Sequence, residues 1–333
     1  MLRLGVIGTN WITDQFIEAA IFTKKYLFHS VYSRKQESAE SFIAKYHKNT
    51  SMFTDLTEFL RDDKLQVVYI ASPNSLHFLQ AKQVILAGKN VIVEKPAFSN
   101  PKELEEIVKL ASQMQVFFFE AARNIHEKSF VTVKKFVEKK PFVWGANFHY
   151  AKYSSRMNQV LEGEEPNIFS LKFSGGALMD LGVYLVYAAI GWFGKPRSTH
   201  YFASILSTGV DGCGTGILRY EDFDVTIHLG KNIDSFVPSE IFFSDGTLIL
   251  DGINAISSAQ YRSHGGVDQS LEVQALQNPM IEEASDFAKV MLHPRNRVLG
   301  KKYEEWVELA RDVHDILAEM RKDAGILFAA DKD

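Results

Sequence analysis

The chain has 333 residues; at roughly 150 residues per domain, this length predicts about two domains, each able to bury its own core. Hydrophobic residues make up 46% and charged residues 23%, which argues against a disordered chain. The formal net charge of −4 offers no basic surplus, so we expect no nucleic-acid partner.

The first part of the chain alternates short β-type runs with helical stretches. The runs predict strands at Leu4–Ile7, Leu27–Tyr32, Ser51–Phe53, Val67–Ala71, Val91–Glu94 and Val116–Phe119. Helical periods fall between them, at Thr13–Phe22, Lys35–Tyr46, Leu76–Ala87 and Pro101–Met114. Most runs are continuously apolar, as in parallel strands that are covered on both faces. The pattern therefore predicts an α/β domain over residues 1–122, with a doubly wound parallel sheet.

The pattern changes after about Arg123, where a predicted helix at Ser129–Lys139 leads into longer alternating runs. These runs predict strands at Val143–Tyr150, Tyr201–Ser207, Gly216–Tyr220, Val225–Leu229, Ile241–Phe243 and Thr247–Leu250. Further helices are predicted at Gly176–Gly191, Ile281–Leu292 and Lys302–Lys322. Consecutive strands with short turns indicate an antiparallel sheet, so residues 123–333 are expected to form a second, α+β domain.

The turn after the first predicted strand reads Gly8-Thr9-Asn10-Trp11-Ile12 and opens a helix. At such a turn, backbone N–H groups at a helix N-terminus hold the pyrophosphate of a dinucleotide. Of the three glycines in the usual fingerprint only the first is present. Asn10 takes the second place, where an asparagine tolerates positive φ but its Cβ crowds a phosphate. The alternative is a strand-to-helix turn that binds nothing.

The end of the second predicted strand carries the cofactor preference. An NAD site usually places an acidic residue there for the ribose 2′-hydroxyl. This chain instead has Ser33 and Arg34, and no acid precedes Glu37. A hydroxyl followed by cations suits a 2′-phosphate, so the sequence favours NADP over NAD. A solvated charge pair at the start of the next helix is the alternative.

Polar residues also follow two other predicted strands, at the edge where open α/β sheets bind ligands. Lys95 follows Glu94 and precedes a proline, which predicts a partly desolvated amine near the cofactor rather than a lysine extending into solvent. The neighbouring strand is followed by Ser72-Pro73-Asn74 and then by His77. These residues are predicted to contact the cofactor, although His77 also fits a structural role at a helix start.

One carboxylate stands out in the second half of the chain. Asp180 is the only charged residue between Phe173 and Gly194, and an ionised carboxylate in so apolar a segment is costly unless it is paired. Tyr184 lies four residues later, hence on the same helical face. A carboxylate and a phenol that project together suit the binding of substrate hydroxyls and the transfer of a proton. The alternative is a buried aspartate that caps a neighbouring loop.

These motifs together resemble the Gfo/Idh/MocA oxidoreductases, named for glucose–fructose oxidoreductase and inositol dehydrogenase. The likeness covers nearly the whole chain: the Gly8 turn, Glu94-Lys95-Pro96, and Gly175-Gly176 leading to Asp180. It implies a Rossmann domain followed by an α+β domain, whose open sheet commonly forms a dimer interface. Many members have histidine where this chain has Tyr184, but the glucose–fructose oxidoreductase and dihydrodiol dehydrogenase branches are similar to it in having tyrosine.

The resemblance implies an NAD(P)-dependent oxidoreductase acting on a sugar, cyclitol or diol. In that reading Lys95 and Tyr184 act on the hydroxyl proton, Asp180 orients the substrate, and Glu94 lies with Lys95 at the cofactor. Side chains such as His149, Tyr153 and Arg156 are candidates for the substrate cleft. Alternatives are a cofactor-binding sensor without turnover and a nucleotide-fold methyltransferase, although the latter leaves Glu94-Lys95-Pro96 unexplained.

Three further expectations concern what the chain lacks. No Cys/His spacing suggests a metal site. The single cysteine, Cys213, rules out an internal disulfide and fits a reducing, cytoplasmic compartment. The strand pattern begins close to Met1, so we expect no signal peptide, and no apolar run approaches the roughly 18 residues of a membrane span.

Overall fold

The computed structural model describes residues 1–46 and 50–332 and divides into two compact units. The first unit consists of Met1–Phe98, Lys102–Ala121 and Asn278–Glu308. The second consists of Ser99–Pro101, Ala122–Gln277 and the chain from Leu309 onward. The division differs from the predicted boundary after residue 122 in two ways. Ser99–Pro101 and Ala122 cluster with the second unit, and residues 278–308 cluster with the first.

The first unit contains a six-stranded parallel sheet with the order β3-β2-β1-β4-β5-β6. This order confirms the doubly wound sheet. Its strands and helices, in chain order, are β1 (Leu2–Ile7), α1 (Trp11–Phe22), β2 (Tyr26–Tyr32), α2 (Gln36–Ile43), β3 (Ser51–Phe53), α3 (Leu56–Arg61), β4 (Val67–Ile70), α4 (His77–Leu86), β5 (Asn90–Glu94), α5 (Pro101–Met114) and β6 (Phe118–Ala121).

The last strand, β6, begins two residues later than predicted. Gln115 has a φ of 56°, and the N–H of Val116 donates to Ala111 O at 3.0 Å. This pattern closes the C-terminus of α5. Val116 and Phe117 are therefore used in ending the helix and leading into the strand.

The second unit is built on an eight-stranded sheet with the order β14-β13-β12-β11-β7-β10-β9-β8. Its pairs are antiparallel except β7 with β10, so the expectation of a mostly antiparallel sheet is confirmed. The elements are α6 (Lys128–Val137), β7 (Val143–Ala151), α7 (Met157–Leu161), α8 (Val183–Phe193), β8 (Ser198–Ile205), β9 (Asp211–Arg219), β10 (Asp224–Gly230), β11 (Ser239–Phe243), β12 (Gly246–Leu250), β13 (Ala259–Ser263) and β14 (Gln269–Ser270).

Two more helices follow the second sheet, α9 (Ile281–Leu292) and α10 (Arg297–Asp323). The buried face of α9 includes Ala284, Phe287 and Ala288, and it belongs to the same apolar core as α1 and β6. The ring of Phe287 stacks on Phe119 at 4.6 Å between centroids. The hydroxyl of Tyr26 donates to Ala284 O at 2.9 Å. Burial of this apolar face is what assigns residues 278–308 to the first unit.

The chain from Leu171 to Phe193 forms the central helical segment of the second unit. By length and composition it could cross a membrane, but 89% of its most apolar window is buried inside the protein. The expectation that no apolar segment approaches the length of a membrane span is therefore wrong. The segment escapes a search for continuous apolar runs because Lys172 and Asp180 interrupt it. Its burial is that of a core helix, packed on one face of the sheet.

Candidate functional site

The turn between β1 and α1 is shaped by a glycine and capped by an asparagine. Gly8 has a φ of 111°, and a Cβ there would lie 2.8 Å from Ala71 O, so only glycine fits. Asn10 has a φ of −94°, so the turn does not use the positive φ that an asparagine tolerates. Its Oδ1 accepts from the N–H groups of Ile12 (3.1 Å) and Thr13 (3.2 Å), and its Nδ2 donates to Ala71 O. Asn10 thus caps α1 and ties it to the end of β4.

This turn retains donors that suit a phosphate. No described residue accepts a hydrogen bond from the backbone N–H of Thr9, Asn10 or Trp11. These groups lie at the N-terminus of a helix, where the macrodipole favours an anion. The glycine-shaped turn and these donors fit the pyrophosphate of a nicotinamide dinucleotide.

The end of β2 lies beside this turn, because Tyr32 pairs with Ile7. Ser33 and Arg34 follow Tyr32, and Arg34 is exposed and forms no ion pair within the described residues. A cavity of about 340 Å³ lies nearby, and it is lined by Thr9, Glu37, Ser38, Ser41, Phe42 and Lys45. The Arg34 guanidinium and the Glu37 carboxylate therefore both lie near the turn between β1 and α1.

His77 connects two loops at the ligand edge of the sheet. Its Nε2 lies 2.7 Å from Ser72 O, and its Nδ1 lies 3.1 Å from Ala97 O. The side chain is buried, and burial lowers the pKa of its imidazole. Both ring nitrogens face protein carbonyls, so His77 holds the loop after β4 against the turn after β5, which fits the structural role at a helix start. Its contact with a cofactor stays a prediction.

Lys95 is held by buried carboxylates on both sides of its turn. The hydroxyl of Tyr69 donates to Glu94 Oε1 at 2.5 Å, and the N–H of Lys95 donates to Glu94 Oε2 at 3.2 Å. Two residues later, the N–H of Ala97 donates to Glu120 Oε1 at 3.0 Å. The Glu94 carboxylate therefore helps to fix the backbone at Lys95, and its predicted place at the cofactor stays a prediction. The Lys95 side chain itself is partly exposed, at the carboxyl end of β5.

In the second unit, a buried carboxylate holds the start of the helix that carries Asp180 and Tyr184. Asp211 Oδ2 accepts from the N–H of Leu178 at 2.7 Å and from the hydroxyl of Tyr201 at 2.6 Å. A Cβ on Gly176, which has a φ of 115°, would collide with Asp211 Oδ1. Burial raises the pKa of the Asp211 carboxyl. Asp211 thus caps the start of this helical segment.

Asp180 lies in a single π-helical turn, Leu178–Gly182, directly before α8. Its Oδ2 forms an ion pair with the Nζ of Lys231, the residue that follows β10. Lys231 is buried, and its Nζ lies 5.5 Å from the centroid of the Phe169 ring. Sequence reasoning required a partner for Asp180 but did not identify Lys231. A charged residue directly after an apolar strand, as at Lys95, was the available signal.

Tyr184 lies in the first turn of α8, among aromatic and cationic groups. The guanidinium carbon of Arg123 is 5.4 Å from the centroid of its ring, and the ring of Tyr150 meets it edge-on at 5.8 Å. Asn124 Nδ2 donates to Tyr184 O at 3.3 Å, and Arg123 pairs with Glu127. Sequence reasoning missed these neighbours, because they come from other elements.

The three candidate cleft residues are not together. His149 is on the face of the sheet opposite to Phe148 and the core, with its ring 6.0 Å from His228, so it does not lie with Tyr184. Tyr153 and Arg156 lie in the loop after β7, which is hydrogen-bonded to the chain at Lys231 through the N–H of Ser154. Within residues 1–46 and 50–332, no three His, Cys, Asp or Glu side chains are grouped to hold a metal ion.

Comparison with known families decides the class of protein. Residues 2–121 match the family described as oxidoreductases with an NAD-binding Rossmann fold, and residues 145–249 match the Gfo/Idh/MocA C-terminal domain. The chain belongs to the Gfo/Idh/MocA family. It is accordingly an NAD(P)-dependent oxidoreductase with a Rossmann domain, which confirms the expected fold, family and enzyme class. Membership also rejects the methyltransferase alternative.

Full-length relatives support this assignment. The chain is 37% identical over 332 residues to scyllo-inositol 2-dehydrogenase (NADP(+)) IolU of Bacillus subtilis, covering 100% of both chains. It is 25% identical over 344 residues to trans-1,2-dihydrobenzene-1,2-diol dehydrogenase of Mus musculus, covering 99% of both chains. A crystal structure of KijD10, a 3-ketoreductase from Actinomadura kijaniata, in complex with NADP and TDP-benzene, has the same fold. It has a TM-score of 0.83, 18% identity and 97% coverage of both chains.

Proposed function

We propose that this oxidoreductase transfers hydride between NADP(H) and a hydroxyl-bearing carbon of a cyclitol, sugar or diol. The observation that carries the proposal is the Asp180 carboxylate, which is paired with a buried cation and lies one helical turn before Tyr184. A paired carboxylate accepts hydrogen bonds from neutral hydroxyls, and a phenol can exchange a proton with one of them. The relatives named for inositol and dihydrodiol substrates have chemistry of the same class.

Each candidate residue has a separate role. When bound, the nicotinamide ring supplies the site that gains or loses the hydride. Lys95, held at the end of β5 by the Glu94 and Glu120 networks, acts with Tyr184 on the proton of the reacting hydroxyl. Asp180 accepts hydrogen bonds from the substrate and fixes which carbon reacts. Gly8, Thr9, Asn10, Trp11 and Ile12 form the pyrophosphate turn, and Ser72, Pro73 and Asn74 line the same edge of the sheet.

The preference for NADP rests on Arg34, an exposed cation at the end of β2, next to Ser33. Charge-assisted hydrogen bonds to a phosphate contribute about 1.5–3 kcal/mol each. Arg34→Ala should therefore weaken NADP binding about 10- to 100-fold and leave NAD binding nearly unchanged, as measured by nicotinamide fluorescence titration. Equal losses for both cofactors would reject the assignment.

Glu37 provides the matched variant, because its carboxylate lines the neighbouring cavity. If Glu37 served as the acid for a ribose 2′-hydroxyl, Glu37→Gln would weaken NAD selectively. We expect it to leave NAD unchanged and to tighten NADP slightly, since a negative charge near the 2′-phosphate is removed.

The activity is tested with purified protein, NADP and a panel containing scyllo-inositol, myo-inositol and trans-dihydrobenzenediol. Absorbance of the reduced nicotinamide reports turnover, and a substrate lacking one hydroxyl serves as the control. Tight NADP binding without turnover on any polyol or diol would favour a sensor and reject the proposed activity.

We further propose that the chain forms a homodimer or higher homo-oligomer through the second sheet. The register places Phe202, Ile217, Phe242 and Ile249 on the face opposite to the core, and Phe202 is 67% exposed. These apolar side chains lie among Thr215, His228 and Glu240 on the same face, and an exposed apolar group such as Phe202 favours association. Light scattering should give at least twice the chain mass, and Phe242→Glu should lower it. A monomer at every concentration would contradict the proposal.

A cytoplasmic location is the last part of the proposal. Cys213, in β9, is the chain's single cysteine and forms no internal disulfide. A free thiol of this kind fits a reducing compartment. Cell fractionation with an antibody to the intact chain tests it, and recovery outside the cytoplasm would contradict it.

A further inference from the structure

The position of Lys231 is fixed by its backbone. Its N–H donates to Gly212 O at 2.7 Å, and its carbonyl accepts from the N–H of Ser154 at 2.8 Å. The residue therefore links the start of β9 with the loop after β7. Only its side chain leaves this framework, and it extends to Asp180.

The burial of the two partners differs. The Lys231 side chain is 7% exposed, whereas the Asp180 side chain is 23% exposed. A buried ammonium is costly unless it is paired, and here it has the Asp180 carboxylate and the face of the Phe169 ring. The carboxylate is thus the more accessible member of the pair, and the ammonium lies behind it.

We propose that Lys231 is a positioning residue of the substrate site, which acts on the substrate through Asp180. It keeps the Asp180 carboxylate ionised and fixes its orientation, so that the carboxylate remains an acceptor for substrate hydroxyls. This inference rests on the proposed function, in which Asp180 binds those hydroxyls. It adds Lys231, which follows β10, to the candidate site. The four-residue spacing of Asp180 and Tyr184 in the sequence does not point to this lysine.

The inference has a specific consequence for the pH dependence of binding. Without the neighbouring ammonium, a half-buried carboxylate is protonated more easily, and a protonated carboxyl is a poorer acceptor. In Lys231→Met the acid limb of the pH profile of kcat/KM should therefore move to higher pH. A lysine that only stabilised the fold would leave that limb in place.

Other charged groups lie on the elements around this pair. Asp211, whose carboxyl pKa is raised by burial, accepts from the N–H of Leu178 at the start of the segment that carries Asp180. Lys172 lies on the same segment as Asp180, but its Nζ lies over the Phe173 ring, it is exposed, and it forms no described ion pair with Asp180. Arg123 is paired with Glu127 beside Tyr184. Lys172→Met therefore serves as the matched control for loss of a nearby cation.

The test combines Lys231→Met, Lys231→Arg, Asp180→Asn and the double variant Lys231→Met/Asp180→Asn. Initial rates with NADP and scyllo-inositol give KM and kcat, and quenching of NADPH fluorescence by scyllo-inositol gives binding without turnover. Lys231→Met should raise KM at least 10-fold with a smaller change in kcat. Lys231→Arg should recover most of the loss, and Lys172→Met should match the wild type.

The double variant separates the outcomes. If Lys231 acts through Asp180, Lys231→Met should change KM less than twofold once Asp180 is already asparagine. Additive effects, or an unchanged KM and acid limb in a folded Lys231→Met protein, would overturn the inference. Should Lys231→Met fail to fold, the double variant, which leaves no unpaired charge, and Lys231→Arg still decide it. Absence of polyol turnover and binding in the wild type would instead refute the proposed function, and this inference with it.

Discussion

Replacing Tyr201 by phenylalanine removes one hydroxyl that supports the start of the helical segment carrying Asp180 and Tyr184. That hydroxyl is buried and donates to Asp211 Oδ2 at 2.6 Å, while the same oxygen accepts from the N–H of Leu178. The ring remains, and so does the hydrogen bond from the N–H of Tyr201 to Asp323. The variant therefore isolates a single hydrogen bond to a buried carboxyl.

The expected cost follows from the charge of the acceptor. A hydrogen bond to a neutral group contributes about 0.5–1.5 kcal/mol, and one to an ionised group about 1.5–3 kcal/mol. For a unit of this size, the larger range lowers Tm by roughly 3–12 °C. Urea denaturation followed by circular dichroism and by the fluorescence of buried Trp192 measures the loss.

The pH dependence has a defined sign. Burial raises the pKa of the Asp211 carboxyl, whereas the Tyr201 hydroxyl and the Leu178 N–H lower it. A raised folded-state pKa means that stability is complete below the unfolded-state pKa and is lost as pH rises through the folded-state pKa. Removing the hydroxyl raises that pKa further. The deficit of Tyr201→Phe should therefore be smallest in acid and grow as pH rises through the folded-state pKa of Asp211.

Tyr220→Phe is the control, because the Tyr220 hydroxyl is buried and has no hydrogen-bond partner in the described structure. It should be neutral or slightly stabilising, since no hydrogen bond is lost. A Tyr201→Phe protein within about 0.5 kcal/mol of the wild type, or one whose deficit shrinks with rising pH, would refute the reasoning.

Three further predictions concern candidate residues of the first unit, Gly8 and Lys95, and of the second unit, Tyr184. Gly8→Ala should reduce cofactor binding and lower Tm, because a Cβ at this position would lie against Ala71 O. Gly88 also has a positive φ, 71°, but open space surrounds it, so Gly88→Ala should show only the cost of the backbone conformation. Fluorescence titration and thermal melts compare the two variants. Lys95→Met should lower kcat by about 10²–10⁴ with cofactor binding retained, and near wild-type kcat would reject its role. Tyr184→Phe should lower kcat by a comparable or smaller factor, as steady-state kinetics will show, and an unchanged kcat would remove Tyr184 from proton transfer.

Much of the first unit was predictable because its strands are buried on both faces. Mostly apolar runs such as Val67–Ala71 and Val91–Glu94 predicted both the number of strands and their parallel arrangement. In the second unit, β13 and β14 were missed. The sequence of β13, Ala259–Ser263, alternates, but it contains only two buried residues, Ala259 and Tyr261, and β14 has only two residues in all, so both strands are too short for a strong local signal.

The candidate site was predictable where a residue conflicts with its local surroundings. Lys95 follows an apolar strand and Asp180 lies in an apolar helix, so both charged residues can be recognised from the amino-acid sequence. Lys231 is 51 residues from Asp180, and only the packing of β10 beside the helical segment brings the two together. His77 could not be assigned from sequence, because its burial and its two carbonyl partners depend on the turn after β5.

The return of residues 278–308 to the first unit has a consequence for synthesis on the ribosome. The parallel sheet is translated first, but α9, which covers Tyr26 and Phe119, emerges only after residues 122–277 have been made. Until then the growing chain exposes an apolar surface that can aggregate or recruit chaperones. A fragment ending at residue 122 would keep that surface permanently, so it should be insoluble. A circular permutant that begins near residue 278 would deliver α9 early and should shorten the exposed interval.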